Sequence, residues 1–200
     1  MDDKIKVSKE NLENYYLTMI LINNSYKNQV FGINKNCEPF LDRFKEYFKC
    51  DINDKLYITM FNYVKLSVEY LQMQSAITIM YHLFEQFIKV FFCINMDKDY
   101  FTEAKKIVEK YEYNFEDNTY YEIVNKYRLL NNFIKHGGST ELEKKYSELI
   151  NKDCCFDKYG SILDNSLNID NDNIDECCVG LCNFIKEMYI FFEDMGYIDE

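Results

Sequence analysis

Proline occurs once in the 200 residues, glycine only six times and tryptophan not at all. So few breakers exclude a turn-rich β architecture and favour long uninterrupted helices. No stretch reaches the ~18 consecutive apolar residues of a membrane span. The N-terminal MDDKIKVSKEN carries no signal-peptide core, so the sequence reads as a soluble, cytoplasmic chain with no membrane partner. Cation chemistry is narrow too: arginine stands only at 43 and 128 and histidine only at 82 and 136. The net charge of −11 excludes a broad basic surface for nucleic acid and leaves room only for a few cations in a cleft.

Cysteine is present eight times but never as Cys-x-x-Cys, and two histidines cannot complete a zinc set with such spacing. Adjacent residues such as Cys177 and Cys178 cannot both face one metal from a helix. The thiols are therefore expected to be reduced, mostly small buried hydrophobes, with no metal and no cofactor. Asn168, Asp170 and Asp172 alternate like calcium ligands, yet the glycine at position six and glutamate at position twelve of such a loop are missing.

What the chain has in abundance is aromatic surface, 18 Tyr and 16 Phe, enough to fill the core of one helical domain. Ser8 reads as the N-cap of a helix to about Asn28, with Leu12, Tyr15, Tyr16, Met19, Ile20 and Ile22 as its apolar stripe. Gly32 to Asn36 reads as a linker, and Pro39 favours a second helix from Glu38 to about Cys50. Residues 1–52 form an N-terminal helical addition packed on a body of 53–200. No Gly or Pro interrupts Lys55 to Asn95, which predicts one very long central helix or two joined by a kink. Its narrow polar seam is Ser75, Thr78, His82, Glu85, Gln86 and Lys89.

A shorter helix is predicted over Lys98 to Tyr111, with a turn at Glu116 and Asp117. Thr119 with Glu122 has capping-box spacing, as do Thr140 with Glu143 and Asn173 with Glu176. These start, in order, a helix through His136, a solvated helix to about Asn151, and a last helix to about Met195. The last helix is expected to bury Val179, Leu181, Phe184, Ile185, Tyr189, Phe191 and Phe192. Between them, Lys152 to Asn173 is rich in Asp and Asn and reads as loop.

Chemistry concentrates in YYEIVNKYRLLNNFIKHGGST, residues 120–140. At roughly 100° per residue, Arg128, Asn131, Asn132, Lys135 and His136 share one arc, while Leu129, Leu130, Phe133 and Ile134 share the other. Arg128, Asn132 and His136 follow at spacing four and form a drifting row. Gly137 and Gly138 stop the helix just after His136, because glycine accepts the left-handed conformation of a C-cap. The free carbonyls of that last turn favour a cation, which suits a histidine moving protons. An arginine in so lysine-rich a chain suits a planar, permanently charged phosphate contact. The polar seam of the long helix is expected to face this row. A solvated or structural His136 and Arg128 is the plainer reading of the same residues.

YHLFEQFIK on the long helix, followed by YRLLNNFIKHGGSTEL, resembles the HEPN superfamily of small helical bundles. It is particularly similar to bacterial versions in which Asn-x-x-Lys-His-Gly closes the catalytic helix, here Asn132-Phe-Ile-Lys135-His136-Gly137. The resemblance implies an all-α, HEPN-like up-down helical bundle with the N-terminal addition. It also implies a homodimer whose site forms where two protomers meet. The implied activity is metal-independent endoribonuclease, in a toxin or anti-phage defence effector, with RNA as substrate and an antitoxin or other defence-system subunit as partner. His136 would handle protons as a ribose 2′-OH attacks the adjacent phosphate, Arg128 would stabilise the phosphorane, and Asn132 would orient them. Glu85 would hold the histidine, while Lys135 and Asn131 would contact substrate. Seven residues separate Arg128 from His136, and Asn131 stands where the family pattern places arginine. The alternative implied is a non-catalytic dimerising or partner-binding subunit of the same kind of system.

Overall fold

The computed structural model describes residues 7–48, 55–94, 100–136, 140–151 and 166–198, with side chains over 7–29, 68–94, 100–136, 140–150 and 167–198. Outside the described residues lie the glycine stop at 137 and 138, the cysteines at 50, 154 and 155, residues 152–165 of the expected loop, and the boundary at 52. Cys37, Arg43 and the apolar residues expected on Glu38 to Cys50 fall outside the described side chains.

The described chain is all-α apart from one two-residue antiparallel pairing and an isolated bridge residue at Ile198. Six helices follow in order: α1 (Lys9–Phe48), α2 (Lys55–Phe91), α3 (Tyr100–Val108), α4 (Tyr121–His136), α5 (Thr140–Lys145) and α6 (Asn171–Asp194). Strands β1 (Ile150–Asn151) and β2 (Ser166–Leu167) pair with Ile150 opposite Leu167. Helix α2 packs against α1, α3, α4 and α6, and α6 also packs against α1 and α4. The Gly- and Pro-free stretch is thus one central helix. A helix with apolar residues on most of its circumference is stable only when neighbours cover it from several sides.

Its inward side chains Ile77, Met80, Tyr81, Phe84, Ile88 and Phe91 are buried, and rings from other elements close around them. Phe84 meets Phe184 of α6 edge-on at 5.7 Å, Phe91 meets Phe192 at 5.7 Å, and Phe115 meets Phe184 at 5.4 Å. Each such pair adds ~0.5–1.5 kcal/mol beyond the area it removes from water.

Several expectations need correction. Helix α1 runs unbroken through Gly32 to Asn36 and through Pro39, so neither the linker nor the second start exists as a break. Its stripe buries Leu12, Tyr15 and Met19, but Ile20 faces solvent. Ser8 does cap α1: its hydroxyl accepts from Asn11 N, and Asn11 Oδ1 accepts from Ser8 N. The start of α4 is set by Asn118 rather than by a Thr119–Glu122 box. Asn118 Oδ1 accepts from Tyr120 N, and its Nδ2 donates to Phe184 O on α6. Thr119 instead donates to Glu187, and Glu122 accepts from the Tyr146 hydroxyl. The box at α6 lies three residues earlier than expected, with Asp170 as N-cap and Asn173 as its reciprocal partner. The solvated helix ends at Lys145 and gives way to a 3-10 turn and β1. Val179 is 55% exposed, because the inner stripe of α6 runs through Cys177, Cys178, Leu181, Phe184, Ile185, Met188 and Phe192.

Candidate functional site

Helix α4 is held from both sides. Val124, Tyr127, Leu130 and Phe133 are buried toward α2 and α6. The Tyr127 hydroxyl donates to Glu176 Oε2 at 2.7 Å and to Asn173 O, while Lys126 Nζ sits 2.6 Å from the same carboxylate oxygen. Burial and the Glu176 charge push the Tyr127 phenol far up, which keeps it a neutral donor. At Gly180 the backbone of α6 comes so close that an ideal Cβ would lie 2.3 Å from Ile123 Cγ2. The polar row on α4 is therefore carried by a fixed scaffold.

Arg128 has a defined local setting. Its Nε and Nη2 donate to Asn125 Oδ1 at 3.2 and 3.0 Å, and its guanidinium carbon lies 5.3 Å from the centre of the Phe101 ring. Glu141 of α5 approaches Nη2 at 3.9 Å, and the arginine side chain stays 27% exposed. Just beneath lies a buried contact between the hydroxyls of Tyr81 and Tyr100. Burial pushes both phenols up; the Arg128 charge opposes that and the Glu85 charge adds to it. Arg128 and Glu85 thus act on the same pair of hydroxyls.

That places Glu85 at the level of Arg128. Its carboxylate pairs with the buried Lys89 at 3.1 Å and lies 3.9 Å from Nδ1 of His82, on its own helix. No ion pair joins it to His136 among the described residues, so the expected orienting contact is absent within one chain. The polar seam of α2 is not a single solvated face either: the His82 side chain is 60% exposed, whereas Lys89 is buried.

His136 is the last residue of α4 and is exposed, as is Lys135 beside it; Asn132 is half-buried. His136 lies about 12 Å along the axis from Arg128, at roughly 1.5 Å and 100° per residue, and about 80° around it. The two side chains do not converge in a single protomer. Asn131 departs furthest from the sequence reading. It shares the inner stripe of Val124 and Tyr127, is 1% exposed, and leaves its Oδ1 without a partner among the described residues, so it contacts no solute.

Sequence reading missed Asn125, Phe101 and Glu141, the groups that hold Arg128. Asn125 was legible, since three residues before an arginine on a helix is bonding distance. Phe101 and Glu141 come from α3 and α5, and nothing local signals them. Among the described residues no three His, Cys, Asp or Glu side chains gather as metal ligands, and no helix is long and apolar enough to cross a membrane. A groove of about 600 Å³ between α1 and α2, lined by Thr18, Leu21, Ser25, Gln72, Ser75 and Ile79, belongs to a different part of the molecule. Comparison of the chain with protein-family models, with curated proteins and with solved structures found no match.

Proposed function

We propose that this chain is a HEPN-like, metal-independent endoribonuclease, acting as a toxin or defence effector, whose site is completed by a second copy of itself. The observation that carries the reading is the placement of α4's two scarce residues. Arg128 is fixed by Asn125 and Phe101 with its side chain 27% exposed, and His136 is exposed in the last turn of the same rigid helix. Cleavage by 2′-OH attack needs a neutral-pH proton shuttle and a fixed cation at one phosphate. With the guanidinium turned back to Asn125, away from a histidine about 12 Å further along the axis, the two do not serve one phosphate from the same protomer. A two-fold pairing resolves this by bringing His136 of one copy to Arg128 of the other.

The roles follow. His136 takes the 2′-OH proton or protonates the leaving 5′ oxygen, Arg128 and Lys135 stabilise the pentavalent phosphorane, and Asn132 orients them. Asn125 keeps the guanidinium plane in place, so it is a positioning residue. The test is growth and total-RNA integrity on induction of the wild-type chain beside His136→Ala. Arrest with cut RNA from the wild type alone is expected; intact RNA and normal growth from both would overturn catalysis by the chain itself. A second reading, a non-catalytic dimerising or partner-binding subunit, is favoured by Glu141 beside Arg128, since a carboxylate there competes with phosphate. Glu141→Gln separates the two: it speeds cleavage in an enzyme and changes nothing in a binding subunit.

A further inference from the structure

Residues 14–26 of α1 and 70–81 of α2 carry no charged side chain, in a chain of which 28% is charged. Glu13 and Lys27 bound the first stretch, and Glu69 and His82 the second. A helix face turned to water ordinarily carries Lys and Glu. Here the outward faces carry Leu17, Ile20 and Leu21 on α1 and Leu71 and Ile79 on α2, each 51–58% exposed. The two stretches lie side by side, with Thr18 to Gln29 facing Gln72 to Ile79 across the groove of about 600 Å³.

Most hydroxyls in the groove are already satisfied. The Thr18 hydroxyl donates to Asn14 O at 2.7 Å and the Ser75 hydroxyl to Leu71 O at 2.8 Å, each turned onto its own helix. Leu21, Ile22, Ala76 and Ile79 supply the apolar wall. Gln72 is the exception, because its Oε1 is buried and has no partner among the described residues. A buried acceptor left without a donor is costly. The occupant that suits this groove is therefore uncharged and largely apolar, with a few N–H or O–H donors.

We propose that this face is where two copies of the chain meet, α1 and α2 of one packed on α1 and α2 of the other about a two-fold axis. Charge decides the occupant. Each chain carries −11, so two copies repel across charged faces and close most readily on one cleared of charge. A different protein gains most from an acidic chain by meeting it with cations, and this face has no carboxylate to receive them. The second copy also brings what Gln72 lacks, since Asn24 and Asn28 place exposed amides on the outward face of α1. The five aliphatic side chains expose on the order of 500 Å² of apolar surface, at the upper end of a single monomer patch. With the uncharged polar groups around them, the face reaches the ~800 Å² per partner of a stable dimer. The shared-phosphate reading needs a second copy without naming its surface; this face is argued from α1 and α2 alone.

The experiment is analytical ultracentrifugation of the full wild-type chain beside Leu21→Glu, Ile79→Glu and Ser25→Arg, with helicity and melting temperature followed by circular dichroism. The wild type should sediment as a dimer. Its dimer should tighten as salt rises, because screening removes the repulsion between two acidic chains and takes away no attraction. Each variant should raise the dimer Kd about 100-fold or more. Ser25 is exposed and lines the groove, so its arginine tests the face even where a glutamate variant misfolds. A monomeric wild type overturns the proposal, and one that floats with neutral phosphatidylcholine vesicles gives the face to a lipid surface instead. A dimer that all three variants leave intact also overturns it, while the reading of His136 with Arg128 stands or falls on cleavage of RNA.

Discussion

Replacing Gly180 by alanine tests how α4 is held. An added Cβ would sit 2.3 Å from Ile123 Cγ2 and 3.1 Å from Ile123 Cβ. The obstructing atom is bonded to Cβ of a β-branched side chain with one favoured rotamer on a helix, so it cannot swing aside as a flexible tip can. Relief requires α4 and α6 to separate by several tenths of an ångström. Overpacking of this kind costs ~1–3 kcal/mol. Replacing a glycine inside a helix returns up to ~1 kcal/mol, so the net loss is about 1–2 kcal/mol. In a chain of this size that lowers the melting temperature by on the order of 5 °C. The assay is a double-mutant cycle by thermal and urea unfolding with Gly180→Ala, Ile123→Ala and the pair. Removing Cγ2 should rescue the alanine, giving a coupling of about 1 kcal/mol or more. Additive losses, or a Gly180→Ala chain more stable than the parent, would refute the close approach of the two helices.

Other consequences follow from the same contacts. Leu181→Ala should cost about 2–5 kcal/mol through the cavity it opens, whereas Val179→Ser next to it should stay within ~0.5 kcal/mol; chemical denaturation of both tests the orientation of α6. Glu176→Leu strips the carboxylate from the mostly buried Lys126 and leaves the Tyr127 hydroxyl only Asn173 O as acceptor, and should cost ~1–3 kcal/mol, read in the same unfolding experiment. Burial pushes the phenols of Tyr26, Tyr113 and Tyr146 up to about 12, so the folded chain holds these protons longer than the unfolded one. Their contribution is full below the ordinary phenol range and is lost as pH rises from about 10 to 12. Phenolate absorbance should therefore appear with helix loss in one cooperative step at that end. At the acid end, Lys27 and Asn23 hold the Asp175 carboxyl down, so the contact of α1 with α6 should weaken only as pH falls below the usual carboxylate range. Fluorescence-monitored acid unfolding of Asp175→Asn beside the parent reads that difference.

The parts of the fold set by long-range sequence character were legible, and those set by tertiary choice were not. Absence of Gly and Pro from 55–95 marked α2, and the 3.6-residue stripe marked α4 and α6. Capping was ambiguous wherever several Asx or Thr residues cluster. Asn118 won over Thr119 because its amide also reaches Phe184 O of α6, a contact that local spacing cannot reveal. Gly32 suggests a break, yet one glycine costs a helix only ~1 kcal/mol, and a long helix absorbs it. On α4, the row of Arg128, Asn132 and His136 is legible, but the polar character of Asn131 points it outward although four residues after Tyr127 puts it on the inner stripe. An amide left with a buried, unpartnered oxygen breaks the rule that polar residues face out, so periodicity alone misplaced it. Along the seam of α2, Glu85 pairs with Lys89 and lies at the level of Arg128, two helical turns short of His136, so the part of the expectation that linked it to the histidine is the part without a contact among the described residues.

The proposed shared site requires His136 and Arg128 to act on one phosphate from two copies of the chain. The direct measurement is cleavage of RNA by an equimolar mixture of the Arg128→Ala and His136→Ala chains, unfolded and refolded together. Each variant alone should be inactive. The mixed dimer keeps one site with an intact arginine from one copy and an intact histidine from the other, so the mixture should recover about a quarter of wild-type activity. An active wild type whose two variants restore nothing when mixed would contradict the shared site.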